Sequence, residues 1–101
     1  MFARKFTIEG RREQRVEFSR AGEENVLPAL QRFDGFEGLL ALANHQNGKI
    51  LVVTLWKSEE AMRGGEEASY WLRAFSAEAA GGEVTDVERY EVVFSENGEA
   101  R

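Results

Sequence analysis

Residues 36–56 read FEGLLALANHQNGKILVVTLW, two apolar runs joined by the polar hexapeptide Asn44 to Lys49. Asn47-Gly48 is a strong short signal for a β-hairpin, because both residue types tolerate the positive φ of a type I′ turn. The flanking runs are therefore predicted to be paired strands, Phe36 to His45 and Lys49 to Trp56. With Asn47 and Gly48 as the two turn residues, Gln46 pairs with Lys49, His45 with Ile50 and Leu39 with Trp56. Ile50 to Trp56 is apolar on both faces, as expected of a central strand covered on two sides.

On the N-terminal side, Phe2 to Glu9 alternates, with Phe2, Arg4, Phe6 and Ile8 on one side and Ala3, Lys5 and Thr7 on the other. That pattern predicts a strand, ended by Gly10. Arg11 to about Phe33 has helical composition but a thin apolar stripe: Val16 and Phe18, then Val26, Leu27, Leu30 and Phe33. Pro28 lacks an N–H and crowds the preceding turn, which predicts a kink near Glu24 or two consecutive helices. Asp34-Gly35 closes the segment.

On the C-terminal side, Ser58 is a suitable N-cap and Glu59 and Glu60 complement the helix dipole. Ala61, Gly65, Ala68, Leu72, Phe75 and Ala79 then recur at spacings of three and four, one helical stripe with a local break possible at Gly64-Gly65. Gly81-Gly82 ends that helix. Glu83 to Phe94 predicts a last strand, with Val84, Tyr90, Val92 and Phe94 on one side. The order is β-α-β-β-α-β, an α+β ferredoxin-like plan. It implies a four-stranded antiparallel sheet with both helices on one face and the first and third strands central.

The chain has 101 residues, which fits a single domain over residues 1–94 followed by a tail, 95–101, expected to be disordered. Its 13 basic and 18 acidic residues are interspersed and sum to a net charge of −5, which argues against nucleic acid as a partner. With no cysteine there is no disulfide, thiolate nucleophile or Cys-based metal site. The single histidine, His45, has no metal-ligand spacing around it and completes no Ser-His-Asp set, so no metal site is expected. The longest apolar run, Ile50 to Trp56, is too short to span a bilayer, and no signal-peptide pattern precedes it. No membrane partner is expected, and the cytoplasm is the expected location.

Helices on one face of a sheet whose strands are apolar on both faces would leave a large apolar surface wet. Pairing two sheets face to face hides it, so a homodimer with two-fold symmetry is expected.

The layout, together with Asp34-Gly35-Phe36-Glu37-Gly38, Leu55-Trp56 and Ser58-Glu59-Glu60-Ala61, resembles the antibiotic biosynthesis monooxygenase-like family of dimeric α/β barrels over roughly residues 2 to 94. The resemblance implies the dimeric barrel, and for part of that family cofactor-independent oxygenation of polycyclic aromatic substrates or degradation of haem. The monooxygenases are similar in placing Asn and Trp at N-x-x-x-W on the third strand. Here Trp56 fits, and the Asn position is Val52. The haem-degrading members carry a Trp nine residues after the strand-end Trp, a haem-ligating His ten beyond, and an Asn on the first strand. The corresponding positions here are Gly65 and Phe75, and FARKFTIE contains no Asn.

These departures leave the catalytic residues unassigned and imply no cofactor. The expectation is a small apolar or aromatic metabolite bound between helices and sheet, with Trp56, Tyr70 and Trp71 as candidate pocket residues. The alternatives are a cofactor-independent monooxygenase acting on an electron-rich aromatic, and a structural or regulatory dimer without ligand. Each of the three aromatics also reads as ordinary packing. His45 is expected at a solvent-exposed hairpin end, roughly 20 Å along the ladder from Trp56 at about 3.3 Å per residue.

Overall fold

The computed structural model describes residues 1–96. Its elements are β1 (Phe2–Glu9), α1 (Arg15–Ala21), a π turn (Gly22–Val26), α2 (Leu27–Leu30), β2 (Phe36–Ala43), β3 (Lys49–Trp56), α3 (Glu59–Gly64), α4 (Glu66–Ala79) and β4 (Glu83–Glu91). The sheet is antiparallel in the order β2-β3-β1-β4, so β1 and β3 are central as predicted. The architecture is the α+β ferredoxin-like one. Of the tail expected at residues 95–101, residues 97–101 lie outside the described part.

Side-chain alternation sorts the sheet into two faces. Phe2, Arg4, Phe6 and Ile8 of β1 lie level with Trp56, Thr54, Val52 and Ile50 of β3 beneath the helices. The core there divides into two clusters. Phe6, Ile8, Ile50, Val52, Ala77 and Ala80 form one, and Val26, Leu30, Trp56 and Met62 form the other. The opposite, open face carries Leu40, Leu42, Leu51, Val53 and Leu55, with Lys5 bridging Asp86 and Glu88 beside them.

The hairpin register differs from the expected one by two residues. Ala43 pairs with Ile50 and Leu39 with Thr54, and the Asn44 N–H donates to the Lys49 carbonyl at 2.8 Å. His45 to Gly48 thus form the connection, in place of a two-residue turn at Asn47-Gly48. The Asn44 side chain decides this: its Oδ1 accepts from the N–H groups of Gln46 (2.8 Å) and Asn47 (3.3 Å), a local bond that competes with the ladder. Within this connection only Gly48 adopts positive φ, 77°. A shift of two leaves every side chain on its expected face, so the sidedness survives the error in register.

The first helical segment is interrupted where Pro28 predicts. The Leu27 N–H reaches back five residues to the Gly22 carbonyl, and the widened turn relieves the clash that the proline ring would impose on a regular helix. The second segment breaks at Gly65, and Ser58 caps α3 by accepting from the Ala61 N–H at 3.1 Å. Its buried face runs through Met62, Gly65, Ser69, Ser76, Ala77 and Ala80. Of the predicted stripe, Gly65 is buried, Ala61, Ala68, Leu72 and Ala79 are half-buried at its margin, and Phe75 is exposed. The periodicity missed it because two of its positions are serines.

In β4 an extra residue, Thr85, falls between Val84, level with Ile8, and Asp86, level with Thr7. This bulge puts Val84 and Val87 under the helices and Tyr90 on the open face, so Val84 and Tyr90 do not share a side as expected.

Candidate functional site

Between the first helical segment and the β2–β3 half of the sheet lies an open cleft of about 400 Å³. Phe18, Val26, Leu27, Leu39, Ala41, Ile50 and Val52 supply apolar walls, and the π-turn residues Gly22 and Glu23 edge it. A cleft can exist here because β2 faces the helices with small or medium side chains at Ala41 and Ala43, and the first segment is short of apolar contacts. Val16 points to solvent. Cavities of several hundred cubic ångströms with mainly apolar walls are typical of small-molecule sites.

At its inner end the cleft adjoins a chamber of about 20 Å³, with which it shares Val26, Leu39, Val52 and Ser76. Arg4, Thr54, Ser69 and Arg73 contribute to its lining beside Phe6, Leu30 and Leu72. Arg4 is 1% exposed. Its guanidinium donates to Ser69 Oγ at 2.6 Å, to Glu66 Oε2 at 2.7 Å and to the Met62 carbonyl, and it lies 5.6 Å from the Trp56 ring centroid. Glu66 also accepts from Arg89. One carboxylate therefore answers Arg4 and Arg89, with Arg73 close enough to feel both charges.

Electrostatics follow from that excess of cations. Burial pushes the Arg4 guanidinium below the ordinary arginine value while Glu66 acts the other way, and Arg73 is lowered for the same first reason. Both remain cationic at any physiological pH. Burial would raise the Glu66 carboxyl, but the Arg89 hydrogen bond and the charges of Arg4 and Arg89 outweigh it and hold it below its usual value.

The three candidate aromatics fall in two places. Trp56 is fully buried, edge-on to Phe33 at 6.4 Å and Phe36 at 5.6 Å, with its indole N–H donating to Thr54 Oγ1 at 2.9 Å. Tyr70 and Trp71 stand on the solvent side of α4, edge-on to each other at 5.6 Å. Tyr70 borders a separate, open groove against β4, with Arg73, Val84 and Val87. None of the three lines the cleft, whereas Val52, at the family's Asn position, does. Arg4 was not singled out from the sequence, although its place in step with Phe2, Phe6 and Ile8 was the available signal: a charge on the buried side of a strand.

His45 lies where the hairpin meets the first helical segment. Its Nδ1 is 2.6 Å from Arg15 Nη1, and its carbonyl accepts from Arg12 at 3.1 Å. Arginine only donates, so Nδ1 is the acceptor and the neutral ring carries its proton on Nε2. Arg15 in turn edges the cleft. Among the described residues no group of three or more His, Cys, Asp or Glu is arranged to hold a metal, and no helix is long and apolar enough to cross a membrane.

No family model matches the chain. Among curated proteins, Rv2557 of Mycobacterium tuberculosis H37Rv and its counterpart MT2634 in strain CDC 1551 are 36% identical over 67 residues, 66% of this chain and 30% of theirs. The chain thus spans less than a third of the length of these curated relatives. Among solved structures, the Streptomyces coelicolor monooxygenase ActVA-Orf6, in complex with nanaomycin D, superimposes with a TM-score of 0.74 at 16% identity, covering 97% of this chain and 92% of that one. The M. tuberculosis haem degrader MhuD, with two haems bound, gives 0.70 at 21% identity, covering 96% and 100%. SnoaB, a cofactor-independent oxygenase from Streptomyces nogalater, gives 0.64 at 16% identity, covering 93% and 92%. At these identities the likeness is one of fold, and the chain carries the antibiotic biosynthesis monooxygenase-type fold that its sequence motifs resemble.

Proposed function

We propose that this protein binds a small apolar or aromatic metabolite in the cleft between its first helical segment and the sheet. The observation that carries this reading is the cleft itself, about 400 Å³ with apolar walls from Phe18, Leu39, Ala41, Ile50 and Val52. A structural dimer without ligand would have no use for such a space, since an unfilled apolar cleft forgoes packing. A monooxygenase reading draws on the shared fold. Against it stand Val52 at the Asn position and a Trp56 sealed under Phe33 and Phe36. Binding is therefore favoured over chemistry, and fold alone does not decide between them.

The reading includes a homodimer formed through the open sheet face. Leu40, Leu42 and Tyr90 are each about half exposed there, next to Leu51, Val53 and Leu55, and Val93 and Phe94 beyond β4 are more exposed still. A contiguous patch of this kind marks an interaction surface.

Native mass spectrometry of the purified protein, followed by denaturing extraction, tests the binding reading. A stoichiometric aromatic or apolar co-purified compound, displaced by Ala41→Trp, is the expected result. Naphthalene-sized aromatics that neither co-purify nor titrate into the wild-type protein would overturn it. Oxygen uptake with dihydroxy-aromatic substrates tests the alternative; turnover that survives cleft filling would locate chemistry elsewhere.

A further inference from the structure

Two buried donors, Arg4 Nε and Arg73 Nη1, find no acceptor among the described residues. Buried N–H groups of charged side chains are rarely left unanswered, because the desolvation cost is then uncompensated. Both arginines line the small chamber that continues from the cleft. Beside it Arg4 and Arg89 share the carboxylate of Glu66 while Arg73 stands near without pairing to it, so positive charge is in excess. The neighbouring hydroxyls are already committed in part: Thr54 Oγ1 accepts from Trp56 and Ser76 donates to the Leu72 carbonyl. Neither supplies the missing acceptor.

We propose that the cleft takes an aromatic or apolar molecule bearing a carboxylate, and that Arg4 Nε and Arg73 Nη1 are the donors that receive its carboxylate. The inference rests on the cleft being the binding site and names the class of its ligand. The apolar body lies along Phe18, Leu39 and Val52, and one carboxylate oxygen enters the chamber. About 20 Å³ has room for a single oxygen-sized atom. A carboxylate suits the position better than a neutral acceptor, because charge-assisted bonds to guanidinium are about twice as strong and the surplus positive charge is offset.

Fluorescence or calorimetric titration with 2-naphthoate and with neutral 2-naphthamide, which share one aromatic body, tests the proposal. The acid is expected to bind about tenfold or more tightly than the amide. Arg73→Gln is expected to abolish most of that preference, weakening the acid far more than the amide, with thermal unfolding confirming that the variant folds. Arg4→Lys keeps the charge but deletes the Nε donor and is expected to reduce the preference, with thermal unfolding confirming that the variant folds. Equal affinity for acid and amide would overturn the carboxylate assignment alone and leave the chamber to water. Failure of both probes to bind would overturn the cleft reading and the assignment with it.

Discussion

The Arg4 guanidinium and the Trp56 indole lie 5.6 Å apart, side by side on neighbouring central strands with almost no solvent reaching either. The pair ties the polar cluster at Glu66 to the aromatic cluster at Phe33 and Phe36. Arg4→Ala would empty the volume under Trp56 and leave the Met62 carbonyl and Ser69 Oγ without their donor. A loss of about 3 kcal/mol is expected. Arg4→Met fills the space and should cost about half as much. Urea denaturation with unchanged m-values checks both, and equal costs would mean that packing contributes little.

Gly64 and Gly65 make opposite predictions although they are adjacent. A Cβ on Gly65 would lie 3.0 Å from Trp56 Cη2, and that ring is wedged between two phenylalanines. A Cβ on Gly64 meets nothing within 4 Å. Gly64→Ala is expected to stabilise by about 0.5–1 kcal/mol through helix propensity. Gly65→Ala should destabilise by about 1–2 kcal/mol through overpacking. Thermal unfolding of the two variants side by side reads the difference in sign.

Acid should destabilise the fold through Glu66. Its folded value is depressed below 4.5, so its contribution is complete above that pH and is lost as pH falls through the folded value. Asp86, bonded first to Thr7, and Glu88, bonded first to Lys5, titrate with the same sign. Lys5 is raised, chiefly by Glu88, and so loses its contribution only as pH rises above 10.5. Glu66→Gln is therefore expected to be less stable than wild type at pH 7 and to show a shallower decline between about pH 5 and 3. Parallel pH profiles for the two proteins would reject the role of Glu66.

Leu40→Glu places a charge in the middle of the open sheet face at a position half exposed in the single chain. Folding of the protomer should be little affected. In the proposed dimer a two-fold axis would repeat the substitution, so dimerisation should weaken at least about a hundredfold. Light scattering coupled to size exclusion gives the mass directly, and a variant that stays dimeric would place the contact elsewhere.

The two central strands were legible in the sequence to the residue, because alternation along Phe2 to Glu9 and the apolar run to Trp56 are governed by burial alone. The edge strands end at Ala43 and Glu91, short of the expected His45 and Phe94. Hairpin register was less legible, since the Asn44 side chain competes with the Asn47-Gly48 signal and a sequence does not say which local bond wins. The buried face of α4 escaped periodicity because Ser69 and Ser76 sit where apolar residues are sought. Ser69 is there as the partner of Arg4, 65 residues away in sequence. The cleft was expected between helices and sheet, but its lining residues were not. Aromatic side chains are conspicuous in a sequence, whereas small residues such as Ala41, which make the space, are not.

The bulge at Thr85 makes β4 sensitive to counting rather than to spelling. Deleting Thr85 would restore an unbroken ladder and leave Val84, Val87 and Arg89 on the helix side, whereas inserting one residue after Asp86 would turn the rest of the strand over. Arg89 would then leave Glu66 for the open face, and Tyr90 would rotate in beneath α4. The last strand can be shortened there by one residue but not lengthened by one, because a single added amino acid exchanges the inside of this protein for its outside.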